Sequence, residues 1–391
     1  MSSNKLERMS KRRFMKTAAA MGVSAASLSY GTQEGLAKAN DENYVPYVRA
    51  LVGEKLKDDV WVARKPVYDR IHRDEWAVRW TADDAADQIQ NIIRKEFPED
   101  NDLIRAGWEA MSESPSGFGV SVYYQEIEKV NGERNSPSVS IETVREKLPD
   151  NQRGTAAKDE YQAERTVPVV VERSRQREVG VLANKDWEDP LPGGTAMCAD
   201  NCGTYASAYY NRDYGEQGMV ASGHVCGSTG TDAYDSSGER HGTAQIVYDG
   251  SDIDYAWVQM VSGEDNVNDE PDPLLSDTNG GTDIEIYGMA TDDELKADTD
   301  TNTTYYNQGD ANGRQSGNLQ YLDDNWVEFG PNTSGGDSGG PLFKDDDGDG
   351  DALIAGVCVI DMYAGGSKFT TAETVDNQMN GYWMTTNNSG V

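Results

Sequence analysis

Basic side chains are scarce in this chain of 391 residues: 35 lysines and arginines stand against 68 aspartates and glutamates, a formal net charge of −33. Phosphate backbones and anionic lipids would repel so negative a surface, which excludes nucleic acid and an anionic membrane as main partners. Long apolar runs are also lacking, because no segment after the first 39 residues reaches the ~18 consecutive apolar residues of a membrane-spanning helix. We therefore expect no membrane span.

The shortage of basic residues is concentrated in one half of the chain. Residues 190–391 hold 6 basic and 35 acidic side chains, a net of −29, whereas residues 1–189 carry a net of only −4. So sharp a step indicates two units, with a boundary between Ala183 and Gly194. The charge predicts a salt-adapted (halophilic) surface, in which bulk salt screens the mutual repulsion of the carboxylates. An ordinary acidic secreted protein is the alternative.

The first 39 residues have the composition of an export signal peptide. A basic stretch at 11–16 (KRRFMK) precedes a small, weakly apolar run over 17–30, and an AxA cleavage pattern follows at Ala37-Lys38-Ala39. The basic stretch resembles a twin-arginine signal in which Lys11 replaces the first arginine. We expect an extracellular, secreted protein exported by the twin-arginine route, with a Sec-type signal as the alternative.

Residues 40–189 show helix and strand patterns but no cluster of catalytic residue types. His72 lies alone among charged residues and is interpreted as solvated or structural. The basic stretch 158–177 is a segment where processing proteases cut, so 40–189 is predicted to be a small α+β pro-region. Its predicted elements are a helix that begins at the capping box Thr81–Asp84 and continues to Phe97, a helix over 140–148, and strands over 119–127 and 166–172.

From residue 190 onward the sequence alternates short strand patterns with Gly-rich turns, which disfavours a parallel α/β fold. The fold class we predict is all-β, a double six-stranded antiparallel barrel over residues 190–391. The candidate strands are 244–248, 255–261, 282–288, 318–322, 326–329, 341–343 and 353–360.

Catalytic chemistry is indicated by the stretch 336–341, which reads GDSGGP. Its glycines let the backbone turn so sharply that the N–H groups of Gly336 and Ser338 point together, as an oxyanion hole requires. A serine hydroxyl is a poor nucleophile unless a base lies within hydrogen-bond reach and a carboxylate orients that base. Ser338 is therefore the candidate nucleophile.

This motif resembles that of the trypsin/chymotrypsin serine peptidases, and two further segments match the same family. His224 ends a GMVASGH stretch similar to the strand and turn that carry the family's histidine, whereas His241 has no such context. Asp254 opens a D-x-A-x-V stretch like that of the family's buried aspartate, with Asp252 as the competitor. The resemblance implies a catalytic triad of His224, Asp254 and Ser338.

The chain order and separations of the three residues resemble one branch of that family. Histidine, aspartate and serine follow one another at 30 and 84 residues, as in the compact bacterial enzymes α-lytic protease and the streptogrisins. The stretch 316–320 is similar to that branch's strand before the nucleophile. Leu191-Pro192-Gly193-Gly194 stands where an Ile-Val-Gly-Gly terminus would be. The resemblance therefore implies a pro-region that assists folding, more than a zymogen whose new amino terminus pairs with Asp337.

Only 4 cysteines are present, and their positions depart from the family pattern. The family commonly has cysteine directly after the histidine, but here Val225 precedes Cys226. For an exported chain the resemblance implies a disulfide from Cys198 or Cys202 to Cys226. A zinc site on Cys198 and Cys202 is an alternative that lacks a second pair of ligands. Cys358 is expected to be buried and either reduced or paired with the remaining cysteine.

Three spaced aspartates, Asp345, Asp347 and Asp349, precede Gly350 and match the first half of a calcium-binding loop. The second half does not match, because Gly356 stands where the loop has glutamate. An acidic hairpin loop is the alternative. The predicted chemistry requires no cofactor, and calcium is carried as a separate hypothesis.

Taken together, the sequence predicts a secreted serine endopeptidase that acts on polypeptides and is a monomer after processing. A catalytically inactive binding or adhesion module on the same barrel is the alternative. Asn332 is expected near the floor of the specificity pocket. The sequence indicates no acid there, so a preference for lysine or arginine is not predicted.

Overall fold

The structure is a computed structural model that describes the following residues: 43–56, 60–101, 103–111, 114, 117–128, 134–158, 161–177, 191–234, 238, 240–250, 253–260, 271–275, 284–309, 312–331, 333, 336–345, 351–362 and 366–386. The predicted signal peptide lies outside the described residues, as do Asp252, Asn332, Asp347 and Asp349.

The described residues form many strands and few helices. Five helices are described: α1 Arg73–Glu96, α2 Ile141–Lys147, α3 Gly223–Cys226, α4 Asp292–Asp298 and α5 Ala372–Met379. The strands before residue 190 are β1 Tyr44–Lys55, β2 Trp61–His72, β3 Ile104–Ala110, β4 Phe118–Glu128, β5 Arg134–Asn135, β6 Asn151–Lys158 and β7 Tyr161–Arg177. Those that follow, as far as residue 275, are β8 Leu191–Gly193, β9 Ala196–Cys198, β10 Cys202–Thr204, β11 Ala208–Asn211, β12 Glu216–Ala221, β13 Asp232–Tyr234, β14 Arg240–Asp249, β15 Asp254–Met260 and β16 Pro271–Leu275. The remaining strands are β17 Ile284–Ala290, β18 Tyr305–Gly309, β19 Gly313–Gly317, β20 Leu319–Leu322, β21 Trp326–Phe329, β22 Pro341–Asp345, β23 Asp351–Met362, β24 Gly366–Thr371 and β25 Gly381–Trp383.

Helix α1 starts eight residues earlier than the sequence predicted, so the capping box at Thr81–Asp84 was wrong. The N-cap is His72, whose Nδ1 accepts a hydrogen bond from the backbone N of Asp74. Thr81 lies inside the helix and donates to the carbonyl of Ala77 at 2.7 Å. Burial of Trp76 extends the apolar stripe towards the N-terminus, and this tertiary packing decides where the helix begins. The structural interpretation of His72 is confirmed.

The other elements predicted before residue 190 are confirmed. Strands β4 and β7 contain the predicted segments and pair in parallel over nine residues, from Val120 opposite Val169 onward. Helix α2 begins after the N-cap Ser140, whose hydroxyl accepts from the backbone N of Thr143. These elements and α1 make an α+β arrangement.

Strands β9 to β15 and β25 form one eight-stranded antiparallel sheet, in the order β10-β9-β13-β14-β15-β12-β11-β25. A second set of pairings joins β17, β23, β24, β21 and β20, with β22, β18 and β19 attached through β23. Each of the seven strands predicted after residue 190 overlaps an observed strand. The class is therefore mostly β, and closure into two six-stranded barrels stays a prediction.

We call the described residues from 43 to 177 the N-terminal unit and those from 191 to 386 the C-terminal unit. Strands pair across them: Ala50 on β1 lies opposite Ala290 on β17, and Leu322 on β20 lies opposite Trp108 on β3. One hydrophobic cluster also contains residues of both units. The two units therefore pack on a common apolar surface. None of the helices described is long and apolar enough to cross a membrane.

Candidate active site

His224 and Asp254 are brought together by the register of two neighbouring strands. In the antiparallel pair β12–β15, Ala221 lies opposite Ala256, so the same register continued by two residues places Gly223 opposite Asp254. His224 follows in the short helix α3, which begins where β12 ends. The strand pairing thus sets the carboxylate beside the imidazole.

The carboxylate of Asp254 is bound by three donors from the histidine segment. Its Oδ2 lies 2.5 Å from Nδ1 of His224. Its Oδ1 accepts from the backbone N of His224 at 3.1 Å and from the backbone N of Gly223. Asp254 is 4% exposed, whereas the His224 side chain is 34% exposed. This geometry fixes the imidazole ring with its Nδ1 towards the acid and leaves one edge of the ring open to solvent.

Thr370 holds the backbone on which that carboxylate stands. Its hydroxyl accepts from the backbone N of Asp254 at 3.2 Å and donates to the carbonyl of Asp254 at 3.1 Å. Thr370 is buried on β24, far along the chain from β15. Sequence reasoning missed this residue, because a lone threonine in a strand pattern gives no signal of a tertiary contact.

The turn that carries Ser338 has the backbone that its glycines predicted. Gly336 has φ +104° and Gly339 has φ +90°, both in a region that side chains disfavour. A Cβ on Gly339 would collide with the carbonyl of Thr204 and would approach the backbone N of Ser222 to 3.0 Å. Only glycine therefore allows this turn to pack so closely against the segment before His224.

A single carbonyl links the serine turn to the histidine segment. The oxygen of Cys358 accepts from the hydroxyl of Ser222 at 2.7 Å and from the backbone N of Gly339 at 2.8 Å. Ser222 stands two residues before His224, and Gly339 directly follows Ser338. The structure thus brings the three predicted triad segments into one region.

Among the contacts of the described residues, no hydrogen bond joins Ser338 to His224. The backbone of Ser338 is held instead by Thr204, whose N donates to the Ser338 carbonyl at 2.7 Å. Catalytic hydrogen bonds are often long in unliganded enzymes and tighten only when substrate binds. Within the described part of the chain, the amides of Gly336 and Ser338 also have no protein acceptor, so both can donate to a bound oxygen.

Asp337 is fully buried beneath the serine turn and is oriented by Asn312. The Asn312 side chain donates from Nδ2 to Oδ2 of Asp337 at 2.8 Å, and its backbone N donates to Oδ1 at 3.1 Å. Asp337 therefore supports the turn and is not placed to act as a base. Asn312 was also missed by sequence reasoning, since an asparagine before a glycine reads simply as a hairpin turn.

The competing histidine, His241, lies elsewhere. It is fully buried on β14, with its ring centroid 6.2 Å from that of Tyr205. The competing acid Asp252 lies outside the described residues. His241 thus has the surroundings of a core residue.

The predicted disulfide to Cys226 was wrong. Cys198 and Cys202 lie directly opposite each other in the hairpin β9–β10 and form a disulfide with each other. This pairing also removes the zinc alternative, which needs both as thiolates. Cys226 and Cys358 remain buried thiols, and burial, with the fields of Asp254 and Asp200, raises the pKa of Cys226 to about 12.

The calcium hypothesis falls largely on residues outside the described part of the chain. Asp345 ends β22, while Asp347 and Asp349 are not described. Among the residues that are described, no group of three or more His, Cys, Asp or Glu side chains is arranged to hold a metal ion. Calcium at Asp345, Asp347 and Asp349 stays a prediction.

The solved structures that this chain resembles are chymotrypsin-like serine proteases. A protease from Nocardiopsis is 21% identical, and the match covers 50% of this chain and 98% of the protease, with a TM-score of 0.38. A glutamic acid-specific serine protease that uses a histidine triad in substrate binding is 17% identical, covers 49% and 100%, and has a TM-score of 0.39. An α-lytic protease homolog is 15% identical, covers 49% and 97%, and has a TM-score of 0.38. No protein-family model matches the chain, and no curated protein matches it significantly.

Proposed function

We propose that this chain is a serine endopeptidase that cleaves peptide bonds through an acyl-enzyme on Ser338. The observation that carries the proposal is the carboxylate of Asp254, bound to Nδ1 of His224 and to two backbone amides beside it. An imidazole held in this way presents Nε2 as the basic atom. The turn 336–340, with its two available amides, packs against the same histidine segment.

The reaction follows from these positions. His224 Nε2 takes the proton of the Ser338 hydroxyl as Oγ attacks the carbonyl carbon of the substrate. The amides of Gly336 and Ser338 receive the oxyanion, each donor contributing on the order of 3 kcal/mol. His224 then returns the proton to the leaving amine as the C–N bond breaks, and water hydrolyses the acyl ester by the same steps in reverse. Asp254 keeps the ring oriented and stabilises its charged form.

The proposal extends to a pro-region made of the N-terminal unit. Leu191–Gly193 is buried in a strand parallel to β16, and Gly194 N donates to the carbonyl of Tyr205 at 2.8 Å. The sequence predicts a mature terminus between Ala183 and Thr195. A cut within 191–195 would break these contacts, so we place processing between Ala183 and Leu191. Mass spectrometry of the secreted protein tests this position. A fully active enzyme that retains residues 40–187 would contradict the pro-region.

Labelling with a fluorophosphonate probe tests the peptidase directly, because only an activated serine reacts. In high salt, we expect the label on Ser338 of the full chain after self-processing. The Ser338→Ala variant should not be labelled. His241→Ala is the matched control for His224→Ala: the first should label and the second should not. If no label appears on Ser338 and unfolded casein is not hydrolysed, the peptidase proposal is wrong. The alternative, a catalytically inactive binding or adhesion module, then replaces it.

Export by the twin-arginine route, salt adaptation, calcium binding and a monomeric mature state stay predictions. The acidic charge of residues 190–391 supports the second of them, because self-repulsion should loosen the fold in dilute buffer. Activity that is maximal at low ionic strength would contradict it. A melting temperature unchanged by a chelator at fixed salt would remove the calcium hypothesis.

A further inference from the structure

Carboxyl groups from both units meet in a cavity of about 330 Å³ at the contact between α1 and the C-terminal unit. Its acidic lining residues are Asp83, Asp84 and Asp87 from α1, and Asp292, Asp323 and Asp324 from the C-terminal unit. The ammonium of Lys296 also lines the cavity and forms an ion pair with Asp83. Negative charge thus exceeds positive charge in this part of the interface.

Asp87 of the N-terminal unit and Asp324 of the C-terminal unit line this cavity together. Carboxylates that share a site repel each other when both are ionised, so their proximity favours a proton on one of them. Asp83 stands one helical turn from Asp87 and adds a like charge. Asp323 has its own partner, Arg105 of the N-terminal unit, at 3.5 Å.

A second acidic site lies where β3 meets the β20–β21 pair. Glu328 on β21 is 8% exposed, and its Oε2 has no hydrogen-bond partner among the described residues. The acids that act on it are Glu109 of the N-terminal unit and Asp300. Lys368 lies opposite Glu328 in the strand register, but its Nζ lies 4.5 Å from the ring centroid of Trp326. A buried carboxylate without donors is costly when ionised, so this site also favours the neutral acid.

At both sites the surroundings raise the pKa of the carboxyl group and favour its protonated form. Burial, followed by Asp83 and Asp324, raises the pKa of Asp87 to about 10, against a smaller opposing effect of Lys296. Burial, followed by Glu109 and Asp300, raises the pKa of Glu328 to about 7. Burial also raises the pKa of Glu109. When the units separate, these groups regain water and their ordinary values near 4.

We propose that the contact between the N-terminal and C-terminal units is a proton-dependent latch, closed while Asp87 and Glu328 are protonated and weakened as they ionise. The docked state binds more protons than the separated state between about pH 4 and the raised pKa values of these groups. Its stability is therefore complete in acid and falls as pH rises through 7 towards 10. A rise in pH alone would release the N-terminal unit. The latch does not depend on peptidase activity.

Amide hydrogen exchange on the full chain tests the latch. The chain carries Ser338→Ala to prevent self-cleavage, and ionic strength is fixed so that screening does not change with pH. Exchange of α1 and β21, corrected for the intrinsic effect of pH, gives the opening constant of the interface. We expect this constant to rise at least tenfold between pH 5 and pH 8, because the docked state loses its bound protons over that range.

Two variants assign the effect to the named groups. Asp324→Asn can donate to Asp87 without a proton, and Glu328→Gln cannot ionise, so each should reduce the rise in the opening constant. Asp324 is exposed, so its replacement does not threaten folding. The control is Asp376→Asn, which removes another carboxyl of raised pKa that lies inside the C-terminal unit and should leave the rise unchanged.

The outcomes separate clearly. Equal protection of the interface at pH 5 and pH 8 would overturn the latch. A rise that persists undiminished in both Asp324→Asn and Glu328→Gln would also overturn it, because the titrating groups would then lie elsewhere. Absence of fluorophosphonate labelling on Ser338 in the wild-type chain would instead overturn the proposed peptidase and leave the latch standing.

Discussion

The side-chain amide of Asn312 donates to the buried carboxylate of Asp337 at 2.8 Å, directly beneath the turn that carries Ser338. The backbone N of Asn312 binds the other oxygen of the same carboxylate. Asp337 is one residue from both proposed oxyanion donors. Its orientation therefore fixes the direction of the amides of Gly336 and Ser338.

Replacement of Asn312 by alanine should lower both stability and turnover. The loss of a hydrogen bond to a buried charged group costs about 1.5–3 kcal/mol of the free energy of unfolding. A looser turn should also lower the rate of fluorophosphonate labelling. Asn318→Ala is the matched control, because the Asn318 side chain donates to the carbonyl of Thr301 at 2.7 Å and its hydrogen bonds within the described residues go to residues outside the turn. If both variants label at the parent rate, Asn312 does not position the turn.

Asp254→Asn should fold and be nearly inactive. Asparagine can keep one hydrogen bond to the histidine segment, but it donates to Nδ1 of His224 and so leaves the wrong nitrogen protonated. We expect kcat to fall on the order of 10³–10⁴-fold. Circular dichroism and the melting temperature verify that the variant folds. Asp252→Asn should keep the parent activity, and the opposite result for the two variants would exchange their assignments.

The two thiols should be inert in the folded protein. Cys226 is fully buried with its pKa raised to about 12, and Cys358 is 1% exposed. The thiolate is the reactive form, so alkylation at pH 8 should modify neither residue until denaturant is added. Peptide mass spectrometry after labelling counts the modified cysteines. Modification of Cys226 in the native state would contradict the burial, and recovery of a Cys198–Cys226 disulfide would restore the pairing expected from the sequence.

The sequence predicted what local chemistry determines. The turn at 336–340 and the strand predicted over 255–261 follow from glycine spacing and apolar alternation, and the structure has both. His224 and Asp254 were implied by the resemblance to the trypsin/chymotrypsin peptidases, and the structure brings their side chains together. The predictions from the sequence were wrong where tertiary packing determines the structure. Burial of Trp76 moved the start of α1, and the hairpin β9–β10 paired Cys198 with Cys202.

Sequence patterns did not identify Thr370 and Asn312, the residues that support the site, for the same reason. Thr370 and Asn312 act on Asp254 and Asp337 across more than 100 and about 25 residues of chain. Neither has a spacing or composition that points to its partner. Contacts of this kind depend on how β24 and the β18–β19 hairpin pack, which only the assembled sheets define.

Asp376 should make the protein less stable as pH rises. It is partly buried on α5 and accepts a hydrogen bond from the hydroxyl of Tyr209 at 3.2 Å, and loss of hydration raises its pKa to about 8. The folded state therefore holds a proton on Asp376 that the unfolded state loses near pH 4. By linkage, the contribution is complete below pH 4 and is lost as pH rises to 8, at up to about 1.4 kcal/mol per pH unit.

Urea unfolding of the Ser338→Ala chain between pH 5 and pH 8 measures this contribution. Asp376→Asn keeps a carbonyl oxygen for Tyr209 but cannot ionise, so its free energy of unfolding should fall less steeply with pH than that of the parent. Asp232→Asn is the control: Asp232 is exposed, and its hydrogen bonds to Thr243 and Arg240 lower its pKa, so it is ionised in both states over this range. Parallel pH curves for the parent and Asp376→Asn would show that Asp376 is ionised in the folded protein.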